Sequence, residues 1–198
     1  VPPFIAALAM MEIVYGIGLI VTNATPLGGY VEQYTNVSNG KFLGINYLIW
    51  IAIIVAAITW FIFNMTRHGK YMYAIGGNPQ AAEVAGVPVK ATLILIYMKA
   101  AAMYGLAGFM LGAKAGGASV QTGYGYEMEA IAACTIGGVS VTGGRGKVSS
   151  AIIGVAVFEL LKVALQYLGM NANAQYIAIG VVIFIAISLD IRKYIARK

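Results

Sequence analysis

Charge is scarce in this sequence. Of its 198 residues only 10% are Asp, Glu, Lys or Arg, while 60% are apolar, against about 25% and about 45–50% in ordinary soluble domains. A water-soluble fold of this length cannot enclose so much apolar surface, whereas lipid accepts it on the outside. Cysteine is nearly absent: Cys134 stands alone, so no disulfide can form within the chain. His68 is the only histidine, and no spacing of ligating residues suits a metal. No nucleophile–base arrangement is present either, so the chain is not read as an enzyme. Thirteen basic residues against seven acidic ones give a net charge of +6. The basic residues fall in short clusters between apolar runs, as topology signals do, and a nucleic-acid partner is not expected.

Glycine, by contrast, is plentiful, with 25 residues. Small residues let membrane helices approach closely. Apolar runs long enough to cross a bilayer, which takes about 20 residues, occur at 4–22, 44–64, 91–113 and 148–168, with a final one at 175–189. Between 127 and 142 a shorter, moderately apolar stretch centres on Gly137-Gly138 and reads as a short or broken span. The fold class predicted is all-α: a polytopic helical membrane bundle of about six crossings. The segment 23–43 is polar and turn-rich. The first apolar run lacks a basic lead and a cleavage site, so it is not a signal peptide. The chain opens on Val1 and Pro2, and the natural amino terminus is expected to precede it.

The basic residues set an orientation. With the basic tail in the cytoplasm, six crossings put segments 65–90 and 143–147 on that same side. Those regions hold Arg67, Lys70, Lys90, Arg145, Lys147, Arg192, Lys193, Arg197 and Lys198, an excess that marks the inner face. Only Lys41 and Lys114 fall opposite, and Lys99 and Lys162 lie within spans.

Segment 65–90 is hydrophilic, with a short helix-forming core at Gln80–Ala85. Asn78 can cap that helix, Pro79 suits its first turn, and Gly86 and Pro88 end it. Such a loop is either a helix that docks on a partner or a connector lying on the membrane surface. The string YAIGGNPQAAEVAGVPV (Tyr73–Val89) resembles the hallmark cytoplasmic loop of permease subunits of ATP-binding-cassette sugar importers, in the branch for ribose, galactose, xylose and arabinose. YEMEAIAACTIGGVSVTGGRG (Tyr126–Gly146) is similar to that family's second signature. The closing AISLDIRKY is most like the galactose/methyl-galactoside members, and the opening PPFIAALAMM resembles a helix from the middle of these proteins.

The resemblance covers nearly the whole chain and implies that residues 1–198 are the carboxy-terminal portion of one permease transmembrane domain. It further implies a multi-pass protein of the bacterial inner membrane, with its carboxy terminus in the cytoplasm. The implied partners are a separate ATPase subunit, a second permease copy, a periplasmic sugar-binding protein and the sugar itself. No cofactor is expected on this chain; ATP with magnesium would sit on the ATPase. Gly76, Gly77, Asn78, Pro79, Ala82, Glu83, Gly86 and Val87 would form the ATPase-coupling stretch, with the glycines aiming it.

The second signature has two readings. Gly137, Gly138, Ser140, Gly143 and Gly144 mark irregular backbone, which transporters place along the translocation path or its gate; alternatively, the glycines serve tight helix packing. Glu127 and Glu129 contact the binding protein, complete a polar lining or begin a helix in the favourable dipole sense. Glu12, Lys99, Glu159 and Lys162 fall within spans, where charge is costly unless paired. Glu159 and Lys162 are three apart and can pair on one face; a Glu12–Lys99 pair across two helices is a further option. If Glu12, Lys99 and Glu159 served as charge carriers, the chain would be a gradient-driven transporter or channel instead. GGRGKVSS only faintly suggests a phosphate loop, because Val141 and Val148 stand where Gly and Ser or Thr are required. The sequons at Asn23 and Asn36 carry no weight in an inner membrane, and His68 is read as interfacial.

Overall fold

The computed structural model describes residues Pro3–Ile195. Val1, Pro2 and the tail residues Ala196, Arg197 and Lys198, to which the sequence assigned a helix lead and inner-face charge, lie outside the described residues. Nine helices are described: α1 (Pro3–Thr22), α2 (Glu32–Asn39), α3 (Tyr47–Met65), α4 (Arg67–Gly77), α5 (Pro79–Val84), α6 (Val89–Ala115), α7 (Tyr126–Ile136), α8 (Val148–Tyr167) and α9 (Ala172–Ile195). Four two-residue strands accompany them: β1 (Leu27–Gly28), β2 (Lys41–Phe42), β3 (Ile45–Asn46) and β4 (Gly117–Ala118).

Four helices, α1, α3, α6 and α8, are long and apolar enough to cross a membrane. At 1.5 Å per residue, the 27-residue α6 is about 40 Å long, more than the roughly 30 Å hydrocarbon core. Helix α9 carries a shorter apolar stretch, Ala174–Ser188. Helix α7 has 11 residues and is about 16 Å long. A crossing in that region therefore has to be completed by the non-helical residues after Gly137. The helix there is thus short, as the sequence led one to expect, and does not supply a crossing by itself.

Exposure is inverted relative to a soluble protein. None of α3 is buried, and large apolar side chains such as Ile20, Ile53, Phe61, Ile94, Leu160 and Phe184 are exposed. The buried positions are mostly small: Ala113, Ala132, Ala133 and Gly154. Packing in lipid selects small residues between helices and leaves bulky apolar ones to the acyl chains.

The chain divides into two compact units. The first comprises Val1–Ala52 and Ala101–Tyr124. In it, segment 23–46 is more ordered than its turn-rich composition predicts, because tertiary contacts hold it. The Ser38 hydroxyl donates to the Met110 carbonyl at 2.9 Å and the Tyr34 hydroxyl to the Phe109 carbonyl at 2.7 Å, fixing α2 on α6. The rings of Tyr34 and Phe109 meet edge-on at 4.7 Å. Strand β1 pairs antiparallel with β4, Leu27 opposite Ala118. Strands β2 and β3 form a hairpin whose central residues, Leu43 and Gly44, both have positive φ (53° and 79°), as a type I′ turn requires.

The second unit comprises Ile53–Ala100 and Gly125–Lys198. Its core joins Ala132, Ala133 and Phe158 with Ile179, and Ile136 and Ile183 pack against them. Helices α7 and α8 cross on glycine. A Cβ on Gly154 would run into the Ala133 carbonyl oxygen and lie 2.7 Å from the Gly137 nitrogen; a Cβ on Gly137 would strike the Ser150 carbonyl.

Candidate functional site

Segment 65–90, expected to hold one short helix, holds two. Thr66 opens α4, its hydroxyl accepting from the Gly69 N–H at 3.2 Å. The three glycines of Arg67–Gly77 disguise this helix in the sequence. Two of them are there for space: a Cβ on Gly69 would strike the Ile62 and Phe63 carbonyls, and one on Gly76 would strike the Gly144 nitrogen. Asn78 then ends α4 and caps α5. Its side-chain oxygen accepts from the N–H groups of Gln80 (3.0 Å) and Ala81 (3.1 Å), with Pro79 in the first turn. Helix α5 closes through Gly86 in the left-handed region (φ 82°), where the Val87 N–H donates to the Ala82 carbonyl at 3.0 Å. Gly86 therefore makes the turn predicted for it, while Gly76 serves a contact. On α5 only Ala82 is buried; Gln80, Ala81, Glu83, Val84 and Ala85 are exposed, and Val84 is 91% exposed. Ala81, Val84 and Ala85 form an i, i+3, i+4 apolar ridge pointing away from the unit.

The turn 139–147 packs against the end of α4. A Cβ on Gly144 would lie 2.7 Å from the Gly77 nitrogen, and one on Gly143 2.9 Å from the Gly76 carbonyl oxygen. The Tyr73 hydroxyl donates to the Gly146 carbonyl at 2.8 Å, and its ring meets Phe63 edge-on at 5.8 Å. Within the turn, the Ser140 N–H donates to the Arg145 carbonyl at 3.0 Å and the Gly143 N–H to the Ser140 carbonyl at 3.2 Å; the Ser140 and Thr142 hydroxyls are 2.9 Å apart. Gly143, Gly144 and Gly146 all have positive φ. Of the second-signature glycines, Gly137 is thus used for helix packing, Gly138 (φ 88°) for the turn after α7, and Gly143 and Gly144 for backbone-to-backbone contact.

At the other end of α7, Glu127 and Glu129 occupy the first turn, after Gly125 in the left-handed region. Lys162 of α8 donates to Glu129 at 2.8 Å, their side chains 23% and 22% exposed, and lies 3.5 Å from Glu159, which is 58% exposed. The i, i+3 pair foreseen on α8 is present, but the shorter contact reaches across to α7. Sequence spacing could not find that partner, which lies 33 residues away. Glu12 falls in the first unit and Lys99 in the second.

His68, in the first turn of α4, has its Nε2 enclosed without a hydrogen-bond partner. Burial, and secondarily the Lys99 ammonium, hold its pKa below the usual imidazole value. Among the described residues no group of His, Cys, Asp or Glu is placed to hold a metal ion.

Known proteins match the chain along its length. The family described as branched-chain amino acid transport system / permease component matches residues 1–187. The galactose/methyl galactoside import permease protein MglC of Haemophilus influenzae is 39% identical over 205 residues, covering 100% of this chain and 61% of that protein. Its Escherichia coli K12 counterpart of the same name is also 39% identical, with the same coverage. The ribose import permease protein RbsC of Bacillus subtilis is 36% identical over 193 residues, covering 96% of this chain and 60% of that protein. The chain thus spans about three fifths of the length of these relatives. No solved structure matches it. With four helices long and apolar enough to cross a membrane and a family match that leaves only its last residues uncovered, the chain is a multi-pass membrane protein and belongs to the branched-chain amino acid transport system / permease component family.

Proposed function

We propose that this chain is the carboxy-terminal portion of the permease subunit of an ATP-driven sugar importer in a bacterial inner membrane. The proposed substrate is galactose or a methyl galactoside, after the names of the relatives at 39% identity, ahead of ribose. The observation that carries the coupling role is α5: a rigidly capped six-residue helix outside the spans, presenting the exposed ridge Ala81, Val84 and Ala85. A helix so firmly stopped at both ends transmits a push without fraying, and its apolar ridge suits a groove on a separate ATPase. Asn78, Pro79, Gly86 and Val87 hold its ends, Ala82 anchors it inward, and Glu83 faces the partner.

In this reading the carboxy terminus and segments 65–90 and 143–147 face the cytoplasm. Two permease copies enclose the path, and a sugar-binding protein delivers substrate to the opposite side. Glu127, Glu129 and the irregular backbone around Gly138 and Ser140 belong to the path or its gate. ATP and magnesium are bound by the ATPase and not by this chain. The test is reconstitution of the full permease with its ATPase and binding protein in liposomes. Labelled galactose should enter only with ATP, and a protonophore should leave uptake unchanged. Uptake that collapses with the proton gradient while ATP is present would replace this reading with an ion-driven transporter.

A further inference from the structure

Resting on the coupling role of α5, we propose that the ATPase docks on a composite surface, in which the 139–147 turn is a second contact and Arg145 supplies its charge. Two loops some 70 residues apart in sequence meet with no side chain between them. Gly143 and Gly144 lie on Gly76 and Gly77, at van der Waals range or closer for any added Cβ, and Tyr73 bonds Gly146 at 2.8 Å. Gly77 is the last residue before Asn78, the cap of α5. The turn is therefore packed against the base of the docking helix, and Arg145 is one residue beyond Gly144.

Arg145 and Lys147 are exposed on the turn, as are Arg67 and Lys70 on α4, against the single exposed acid Glu83 on α5. The exposed charge of the turn and of α4 is thus mostly positive, so the protein partner proposed here carries an acidic surface beside the groove that takes Val84. The Arg145 backbone is fixed, its carbonyl accepting from the Ser140 N–H at 3.0 Å between glycines in left-handed conformations. Such fixing lowers the entropy lost on docking one defined partner. Attraction to anionic lipid headgroups needs no defined geometry, only proximity of charge, so a rigid mount favours the protein partner.

The experiment measures the ATPase retained by the affinity-purified full permease in neutral detergent, for wild type, Val84→Asp, Arg145→Glu and Arg145→Lys. Each variant is first checked for a monodisperse elution profile. Val84→Asp and Arg145→Glu should each weaken retention roughly tenfold or more, and Arg145→Lys should hold it near wild type. If Val84→Asp releases the ATPase and Arg145→Glu does not, the composite surface is wrong while the role of α5 stands. If neither releases it, both fail. If Arg145→Glu matters only after reconstitution in anionic vesicles, the turn binds lipid and the proposal is overturned.

Discussion

Lys162 joins two helices and has two partners of unequal quality, which makes its removal a quantitative test of the α7–α8 geometry. Glu129 is 2.8 Å away and about one-fifth exposed; Glu159 is 3.5 Å away and more than half exposed. Removing one member of a buried ion pair costs about 3–5 kcal/mol. With both side chains of the Lys162–Glu129 pair partly open, roughly 2–3 kcal/mol is the appropriate scale for their coupling. The i, i+3 contact with Glu159 is worth about 0.3–0.5 kcal/mol. Lys162→Met strands both carboxylates, whereas Glu129→Gln leaves Lys162 its helix-mate Glu159. The lysine variant should therefore lose about 0.3–0.5 kcal/mol more than the Glu129 variant. Double-mutant cycles of Lys162→Met with Glu129→Gln and with Glu159→Gln, read by denaturant unfolding of the protein in mixed micelles, separate the two couplings. A Glu159 coupling equal to or larger than that of Glu129 would refute the placement of α7 on α8.

Three further outcomes follow from the same geometry. Gly154→Ala drives a methyl into the Ala133 carbonyl and should destabilise by about 1–3 kcal/mol, while Gly105→Ala, with nothing within 4 Å of its Cβ position, should be neutral or slightly stabilising in the same unfolding assay. Asn78→Ala removes the acceptor for two N–H groups of α5 and should cost about 1 kcal/mol locally, seen as faster hydrogen exchange at residues 79–85. His68 has a folded-state pKa below its ordinary 6.5, so the unfolded chain takes up the proton first as pH falls. Its contribution is complete above that ordinary value and is lost as pH drops toward the folded value. Thermal unfolding between about pH 7.5 and about pH 5 should show less acid-side destabilisation in His68→Gln than in wild type.

The sequence was most legible where a single physical rule dominates. Lipid demands long apolar runs, so α1, α3, α6 and α8 follow from hydropathy to within a few residues. Helix α5 was legible because capping is local chemistry, and Asn78, Pro79 and Gly86 announce it. Helix α4 was hidden because Gly69 and Gly76 argue against a helix until the carbonyls of Phe63 and the nitrogen of Gly144 show why no side chain fits. Helix α2 was hidden because Ser38 and Tyr34 are held by carbonyls on α6, more than 70 residues away. The same limit applies at the candidate site. Spacing found Glu159 for Lys162, but the nearer partner Glu129 requires α7 and α8 to be packed first.

The sidedness of segment 65–90 tests the account most directly. In a background with Cys134→Ser, single cysteines at the exposed positions Leu43, before α3, and Val84, on α5, can be probed with a membrane-impermeant maleimide in intact cells expressing the full permease. Helix α3 is long enough to cross between them. Labelling of Leu43→Cys from outside, with Val84→Cys reached only after the cells are opened, is the predicted result. Labelling of Val84→Cys in intact cells would put α5 on the wrong side to meet an ATPase and would contradict the proposed function.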